Sequence, residues 1–268
     1  MNLPAREMKT QSRTGSHWLS PVRWQLRVES GGVANAAALD GVVRTGAVDR
    51  IHYSRGARAV RMLNVLVALV GLVFTAPLLL AIAILVKLSS PGPVFYVQDR
   101  VGLDRRRRGP AAASSEGRRR QDSGGRVFRI YKFRTMVADS DLAGQVWASH
   151  TDPRITAVGQ VLRKYRLDEL PQLFNVLKGD MNIVGPRPEQ PRIFQELRQQ
   201  VSGYQERQRV LPGITGWAQV NHSYDQCLED VRKKVAFDLE YIQKRSLLKD
   251  LKIMFRTLPV MIGKKGSI

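Results

Sequence analysis

The run from Met62 to Val86 constrains this chain more than any other stretch, because Asn64 and Thr75 are its only polar residues. Roughly 20 apolar residues in a helix cross a bilayer core, so the run is long enough to enter a membrane. It is apolar on every side, which argues against a helix that buries one face in a soluble core. Pro77 lies near its middle, where proline removes a helical hydrogen bond and tends to kink the axis. Arg55, Arg58 and Arg61 precede the run, and Lys87 and Arg100 follow it. Positive charge favours the cytoplasmic side, so a hairpin bent at Pro77 and returning to the face it entered satisfies both flanks. A straight span would strand one of them.

The rest of the chain is strongly basic. Its 43 Lys and Arg against 23 Asp and Glu give a net charge of +20 over 268 residues. Such a surplus suits nucleic acid, an anionic membrane surface or phosphorylated substrates. A single cysteine, Cys227, excludes an intrachain disulfide framework, and with four histidines it leaves no zinc-type ligand cluster. A metal would therefore be a hard cation held by carboxylates. Residues 1–55 are rich in Gly, Ala, Ser and Arg and are expected to form a basic, largely disordered extension. They lack the pattern of a secretory signal, since the apolar run begins too late. Residues 104–125, with Arg105 to Arg108 and Arg118 to Arg120, form an Arg-rich insertion expected to be a solvated, disordered loop attracted to anionic lipid. No aromatics are interleaved with those arginines to stack on bases, which weakens the nucleic-acid alternative.

Two carboxylates stand together in Arg163-Lys164-Tyr165-Arg166-Leu167-Asp168-Glu169-Leu170-Pro171-Gln172. Leu167, Leu170, Leu173, Phe174 and Leu177 recur at helical spacing and anchor the segment to a core. Locally, Asp168 reads as a helix N-cap and Glu169 as a first-turn charge favoured by the dipole. Upstream, Val127 to Met136 reads as a strand, after a shorter one at Val94 to Val97. Alternation puts Lys132 and Arg134 on one face, a pair that can clamp a phosphate but would look the same as two surface charges. Downstream, Gly179 suits a helix C-cap. Gly185-Pro186-Arg187-Pro188 is stiff enough to hold Arg187 in one place. Gln190 to Val210 reads as polar helix and Val231 to Thr257 as a helix with an apolar stripe suited to a core or a bilayer surface. Between them Trp217 sits in a glycine-punctuated loop, suited equally to a nucleotide, a membrane interface or plain packing.

Several multi-residue motifs occur in a fixed order. They are Gly92-Pro93-Val94-Phe95, Ile130-Tyr131-Lys132-Phe133-Arg134-Thr135-Met136, Asp152-Pro153-Arg154-Ile155-Thr156, Leu167-Asp168-Glu169-Leu170-Pro171-Gln172, Gly185-Pro186-Arg187-Pro188 and Pro212-Gly213-Ile214-Thr215-Gly216-Trp217. Together they resemble the bacterial sugar transferase family, the monotopic polyprenyl-phosphate phosphoglycosyl transferases, over about Arg58 to Thr257.

The resemblance implies an α+β, predominantly helical membrane protein. A re-entrant, Pro-kinked helix (residues 56–90) would precede a cytosolic catalytic domain with a small β element (91–268), on the cytoplasmic face of the bacterial inner membrane. The larger relatives with a multi-span N-terminal domain are not matched, because one apolar run precedes the motifs. The implied reaction moves a sugar-1-phosphate from a UDP-sugar to undecaprenyl phosphate and releases UMP, starting an exopolysaccharide, O-antigen or related glycan. Asp168 would be the nucleophile of a covalent phosphosugar intermediate and Glu169 its partner, with Mg²⁺ required and both carboxylates candidate ligands. Lys132, Arg163 and Arg187 match phosphate-contacting positions, and Arg134 is the companion of Lys132. Gln172, Pro186, Pro188 and Trp217 are further candidates within the motifs. Membrane lipid is the expected surround, nucleic acid is not an expected partner, and a homo-oligomer stays open. The alternative is a membrane-tethered basic protein that binds nucleic acid or scaffolds without catalysis. Two departures stand out: Thr75-Ala76-Pro77 where relatives carry Ser-Pro, and His222 where many have Gly.

Overall fold

The computed structural model describes residues 56–105, 122–137, 152–222 and 227–262. The expected 1–55 extension and most of the 104–125 insertion lie outside the described residues. The apolar run forms the body of one helix, α1 (Gly56–Ser89), assigned without interruption through Pro77. Two residues before that proline, Thr75 Oγ1 donates to the Gly71 carbonyl at 2.7 Å, a bond to the preceding turn of a kind that often accompanies helix bending.

A single stripe of α1 is buried. Val60, Asn64, Ala68, Ile82 and Val86 face the protein at spacings that keep them on one side of a helix. Ala68 joins the main core, and Ile82 and Val86 join a second cluster with Phe133 and Leu162. The remaining faces leave Phe74 81% and Leu88 78% exposed, an apolar surface suited to lipid rather than water. Guanidinium groups hold both ends of this helix. Arg61 donates to the carbonyls of Val176 and Leu177 at 2.7 and 3.0 Å. At the other end Arg134 donates to Pro91, Ser90 and Val86 at 2.6, 2.6 and 3.1 Å.

After the Ser-Pro-Gly-Pro turn, β1 (Phe95–Val101) and β2 (Val127–Phe133) pair antiparallel, with Phe95 opposite Phe133 and Val101 opposite Val127. The first strand is longer than Val94 to Val97, and the second ends before Arg134. The Arg-rich insertion is the connection between the two strands, at the Val101–Val127 end of this hairpin. Its two stems are clamped together: Gly102 N donates to Arg126 O at 2.9 Å, and Gln205 Nε2 donates to both Asp104 Oδ2 and Gly124 O at 3.2 and 2.6 Å.

Three helices and a second pair of strands build the middle of the domain. α2 (Ala157–Lys164) leads through a 3₁₀ turn (Leu167–Glu169) to α3 (Gln172–Lys178). Gly179 ends α3 with φ 82°, the left-handed conformation a glycine C-cap supplies without a Cβ clash. β3 (Asn182–Val184) pairs parallel with β4 (Gly213–Thr215), where a Cβ on Gly213 would lie 2.1 Å from Gly185 N. Only glycine permits that approach. Between the strands α4 (Pro191–Gln200) and a 3₁₀ turn (Tyr204–Arg209) occupy the stretch expected to be continuous polar helix.

The chain closes with α5 (Trp217–Asn221), α6 (Leu228–Gln243) and α7 (Leu247–Ile262). The single helix expected over Val231 to Thr257 is therefore two, broken at Lys244 to Ser246. Ser246 Oγ accepts from Lys249 N at 3.2 Å, which satisfies a first-turn donor and starts α7 afresh. The main core joins Phe128 and Ile130 of the hairpin, Val184, Phe194 and Leu197, and Val235, Leu239 and Ile253 of the last helices.

Candidate active site

The carboxylate pair sits on a reversal of the chain. Thr156 caps α2 through its hydroxyl, which accepts from Gly159 N at 2.9 Å. After Tyr165 the backbone of Arg166 adopts φ 53°, the one non-glycine positive φ among the described residues. A left-handed residue with a side chain costs on the order of 1 kcal/mol. It turns the chain into the Leu167–Glu169 3₁₀ turn and so presents two successive carboxylates ahead of α3. Pro171 occupies the N-cap position of α3, and no side chain caps it. The local expectation that Asp168 is a helix cap is thus corrected.

Glu169 is gripped by cations. Its Oε1 accepts from Arg187 Nη2 at 2.6 Å and Lys132 Nζ at 3.0 Å. Arg187 Nη1 reaches Oε2 at 3.4 Å, and Arg166 Nη1 lies 4.0 Å from Oε1. Burial works to raise the Glu169 carboxyl, but the charges of Arg187 and Lys132 prevail and hold it well below the usual range. Asp168 is equally sheltered at 9% exposure, yet its carboxylate accepts no hydrogen bond among the described residues. Burial raises the Asp168 carboxyl above its ordinary value, Lys132 opposes that shift and Glu169 adds to it. Two neighbouring carboxylates are thereby pushed apart, the arrangement expected where one serves as a fixed anion and the other does chemistry.

Lys132 is placed by the strand. Alternation along β2 puts it on the inward face with Phe128 and Ile130, and burial lowers its ammonium, with Glu169 opposing. Asn175 of α3 fixes the strand beside it: Oδ1 accepts from Tyr131 N at 3.1 Å and Nδ2 donates to Arg129 O at 2.7 Å. Arg163 joins from α2, donating to Thr135 Oγ1 at 2.9 Å, close enough for Asp168 to act on its charge. Arg187 arrives on the stiff loop after β3, as its proline flanks suggested.

Not every candidate is brought to the pair. Arg134 lies past the end of β2, so strand alternation does not govern it, and its guanidinium is engaged with the end of α1. Pro186 and Pro188 are buried and shape the Arg187 loop. Gln172 is 1% exposed, and its Nε2 has no partner among the described residues. Trp217 donates to Glu240 at 3.0 Å and lies under Lys249 and Arg256, so it closes the corner between α5, α6 and α7. Pro77 faces outward on α1. The residues that sequence reasoning missed are Asn175, Arg100 and Glu189. Glu189 pairs with Lys234 at 2.8 Å. Burial opposes its charged form, but Lys234, Arg207 and Arg100 together hold its carboxyl at about 2.

Against this geometry, residues 56–264 match the bacterial sugar transferase family. The chain belongs to that family. It is 43% identical over 207 residues to the UDP-N-acetylgalactosamine-undecaprenyl-phosphate N-acetylgalactosaminephosphotransferase of Aeromonas hydrophila, covering 77% of this chain and 44% of that protein. It is 40% identical over 228 residues to the UDP-glucose:undecaprenyl-phosphate glucose-1-phosphate transferase of Xanthomonas campestris pv. campestris, covering 84% of this chain and 43% of that one. The chain thus spans less than half the length of these two relatives. With the exopolysaccharide production protein ExoY of Sinorhizobium fredii it shares 36% identity over 238 residues, 83% of this chain and 92% of the relative.

Among the described residues no cluster of three or more His, Cys, Asp or Glu is present to cage a metal. A Mg²⁺ site built from one or two carboxylates, water and substrate phosphate needs no such cage. Asp168, whose oxygens accept no hydrogen bond among the described residues, fits that requirement. Glu169 Oε1 already accepts from two cations, so it fits less well until one of them is drawn away.

Proposed function

We propose that this sugar transferase moves a sugar-1-phosphate from a UDP-sugar to a polyprenyl phosphate such as undecaprenyl phosphate. The observation that carries the reading is the contrast within the pair: Glu169 is held by Arg187 and Lys132, and Asp168 beside it has no hydrogen bond among the described residues. An Asp168 oxygen attacks the sugar-bearing phosphorus of the donor. The bond from that phosphorus to the bridging oxygen breaks, UMP leaves with the oxygen, and the sugar phosphate stays on Asp168. A phosphate oxygen of the polyprenyl acceptor then attacks the same phosphorus, and the carboxylate departs.

Lys132, Arg163 and Arg187 offset phosphoryl charge that would otherwise repel a carboxylate. Glu169 keeps two of those cations in place between turnovers. Mg²⁺, held by Asp168 and, in the loaded site, by Glu169, would supply further charge neutralisation on the diphosphate when bound. The printed names of the relatives make UDP-glucose and UDP-N-acetylgalactosamine the first donors to try, and the ExoY relative supports an exopolysaccharide as the product.

The reading extends to the membrane. Both ends of α1 are pinned to one domain, by Arg61 and by Arg134, while its free faces are apolar. That supports entry and return on the cytoplasmic face of the inner membrane, with Pro77 at the deepest point. The nucleic-acid alternative gives no reason for the convergence on Glu169.

The test is UMP release by membrane fractions supplied with Mg²⁺, UDP-sugar and undecaprenyl phosphate. Asp168→Asn is expected to lower it by at least about a thousandfold, and undiminished release would remove Asp168 as nucleophile.

A further inference from the structure

The loop that carries Arg187 is held more firmly than its two prolines require. Four successive carbonyls are satisfied from three separate parts of the chain: β4, the end of β1 and the Tyr204–Arg209 turn. Pro186 O accepts from Gly213 N at 3.0 Å and Glu189 O from Val101 N at 2.8 Å. Pro188 O accepts from Arg100 Nη1 at 3.0 Å. Arg187 O accepts from Arg207 Nη2 at 3.0 Å.

Arg207 is the unusual member. Its side chain has no exposure, and its Nε donates to Asp238 Oδ2 of α6 at 2.7 Å, where the carboxylate is 2% exposed. Its guanidinium lies 4.8 Å from the centre of the Tyr204 ring. Nη1 has no partner among the described residues. A buried ion pair is a weak device for stability, because well-packed apolar groups of the same volume often serve as well or better. An unpartnered nitrogen makes it weaker still. Stability alone therefore gives no reason for a full guanidinium at this position. Its fork geometry does: one edge is fixed by Asp238, so Nη2 is aimed at the main chain of residue 187.

We propose that Arg207, oriented by Asp238, is a positioning residue that sets where the Arg187 guanidinium stands. The line of contact runs from α6 through Asp238 and Arg207 to the Arg187 carbonyl, then along the Arg187 side chain to Glu169 and the nucleophile next to it. Lysine at 207 keeps the charge beside Asp238 but has no second arm for the Arg187 carbonyl. Arg187 then keeps its charge and loses its fixed origin. The inference rests on the proposed phosphoglycosyl transfer, in which Arg187 faces donor phosphate.

A double-mutant cycle on UMP release tests it, with thermal unfolding of each purified variant measured alongside. Arg207→Lys is expected to lower kcat/KM about tenfold in the otherwise natural chain. In an Arg187→Lys background, where the guanidinium to be positioned is gone, the same change is expected to lower it less than about twofold. Asp238→Asn, which keeps the volume of the partner, is expected to repeat the pattern and serves if Arg207→Lys does not fold. A purely structural role would give the same fold loss in both backgrounds, and that result overturns the positioning role while leaving the activity intact. Absence of UMP release from the natural chain with every UDP-sugar overturns the activity and, with it, the inference.

Discussion

At the scale of single residues, the site gives neighbouring carboxylates opposite surroundings. Lys132 is the side chain through which that difference is tuned, because it bonds Glu169 and also opposes the upward shift of Asp168. Its removal has two separable effects. On the proposed mechanism, loss of one cation that offsets phosphoryl charge is expected to lower kcat/KM about a hundredfold. The second effect is on pH. Without Lys132 the ionised form of Asp168 is less favoured, so its proton leaves at higher pH. The acid limb of the kcat/KM profile of Lys132→Met is therefore expected to move upward. A limb that stays in place, or moves down, would show that Lys132 does not act on the group whose ionisation limits the rate.

At the scale of elements, α1 and β2 are joined by a buried guanidinium as well as by the packing of Phe133 on Ile82 and Val86. Arg134 is 7% exposed and satisfies three carbonyls at the end of α1 and the turn after it, two residues beyond Lys132. Arg134→Met would leave those carbonyls unpaired in a sheltered place, a loss on the order of 3 kcal/mol. The expected readout is earlier thermal inactivation in detergent, with the Lys132 environment loosened as a consequence. An unchanged inactivation profile would mean that water replaces the guanidinium without loss.

What the sequence disclosed at these two scales follows from how local the cause is. Gly179 could be read as a cap because one glycine and one φ decide it. Strand alternation placed Lys132 and Arg134 on one face but could not say whether that face was the inward one, which the packing of Phe128 and Ile130 decides. Arg134 was misplaced by the same rule, since the strand stops at Phe133 and nothing in the residue types marks the stop. The break before α7 has no glycine or proline, only the hydroxyl of Ser246, a weak signal against a continuing apolar stripe. Arg207 and Asp238 lie 31 residues apart, one in a stretch read as polar helix and the other in a helix read for its apolar stripe. No periodicity or motif links them, and only the folded backbone brings their side chains together. The cap reading of Asp168 failed because the left-handed turn at Arg166 inserts a 3₁₀ turn where a helix was expected to begin.

At the scale of the whole molecule, the decisive relation is between one long apolar helix and one basic domain that holds it at both ends. A helix crossing the bilayer would have to release one of those ends, with the bonds from Arg61 or from Arg134 broken. Cysteines placed at Arg58 and at Lys87, with Cys227 replaced by serine, distinguish the arrangements. Both are expected to react with an impermeant reagent from the cytoplasmic side in inside-out vesicles, and neither in intact spheroplasts. Labelling of the two sites from opposite sides would sink the re-entrant arrangement and leave the chemistry of the pair unaffected.

The clamp at the loop end of the β1–β2 hairpin has a consequence for how this protein can vary. Gln205 bonds both stems, at Asp104 and Gly124, so a segment entering and leaving there begins and ends at one fixed gate. Chain closure between fixed ends grows only with the logarithm of loop length, about 0.6 kcal/mol per doubling. The gate is thus a port: lengthening, shortening or exchanging the sequence between Asp104 and Asp122 is expected to leave UMP release within about twofold of the natural chain, and a larger loss would show that the change reaches the strand that carries Lys132.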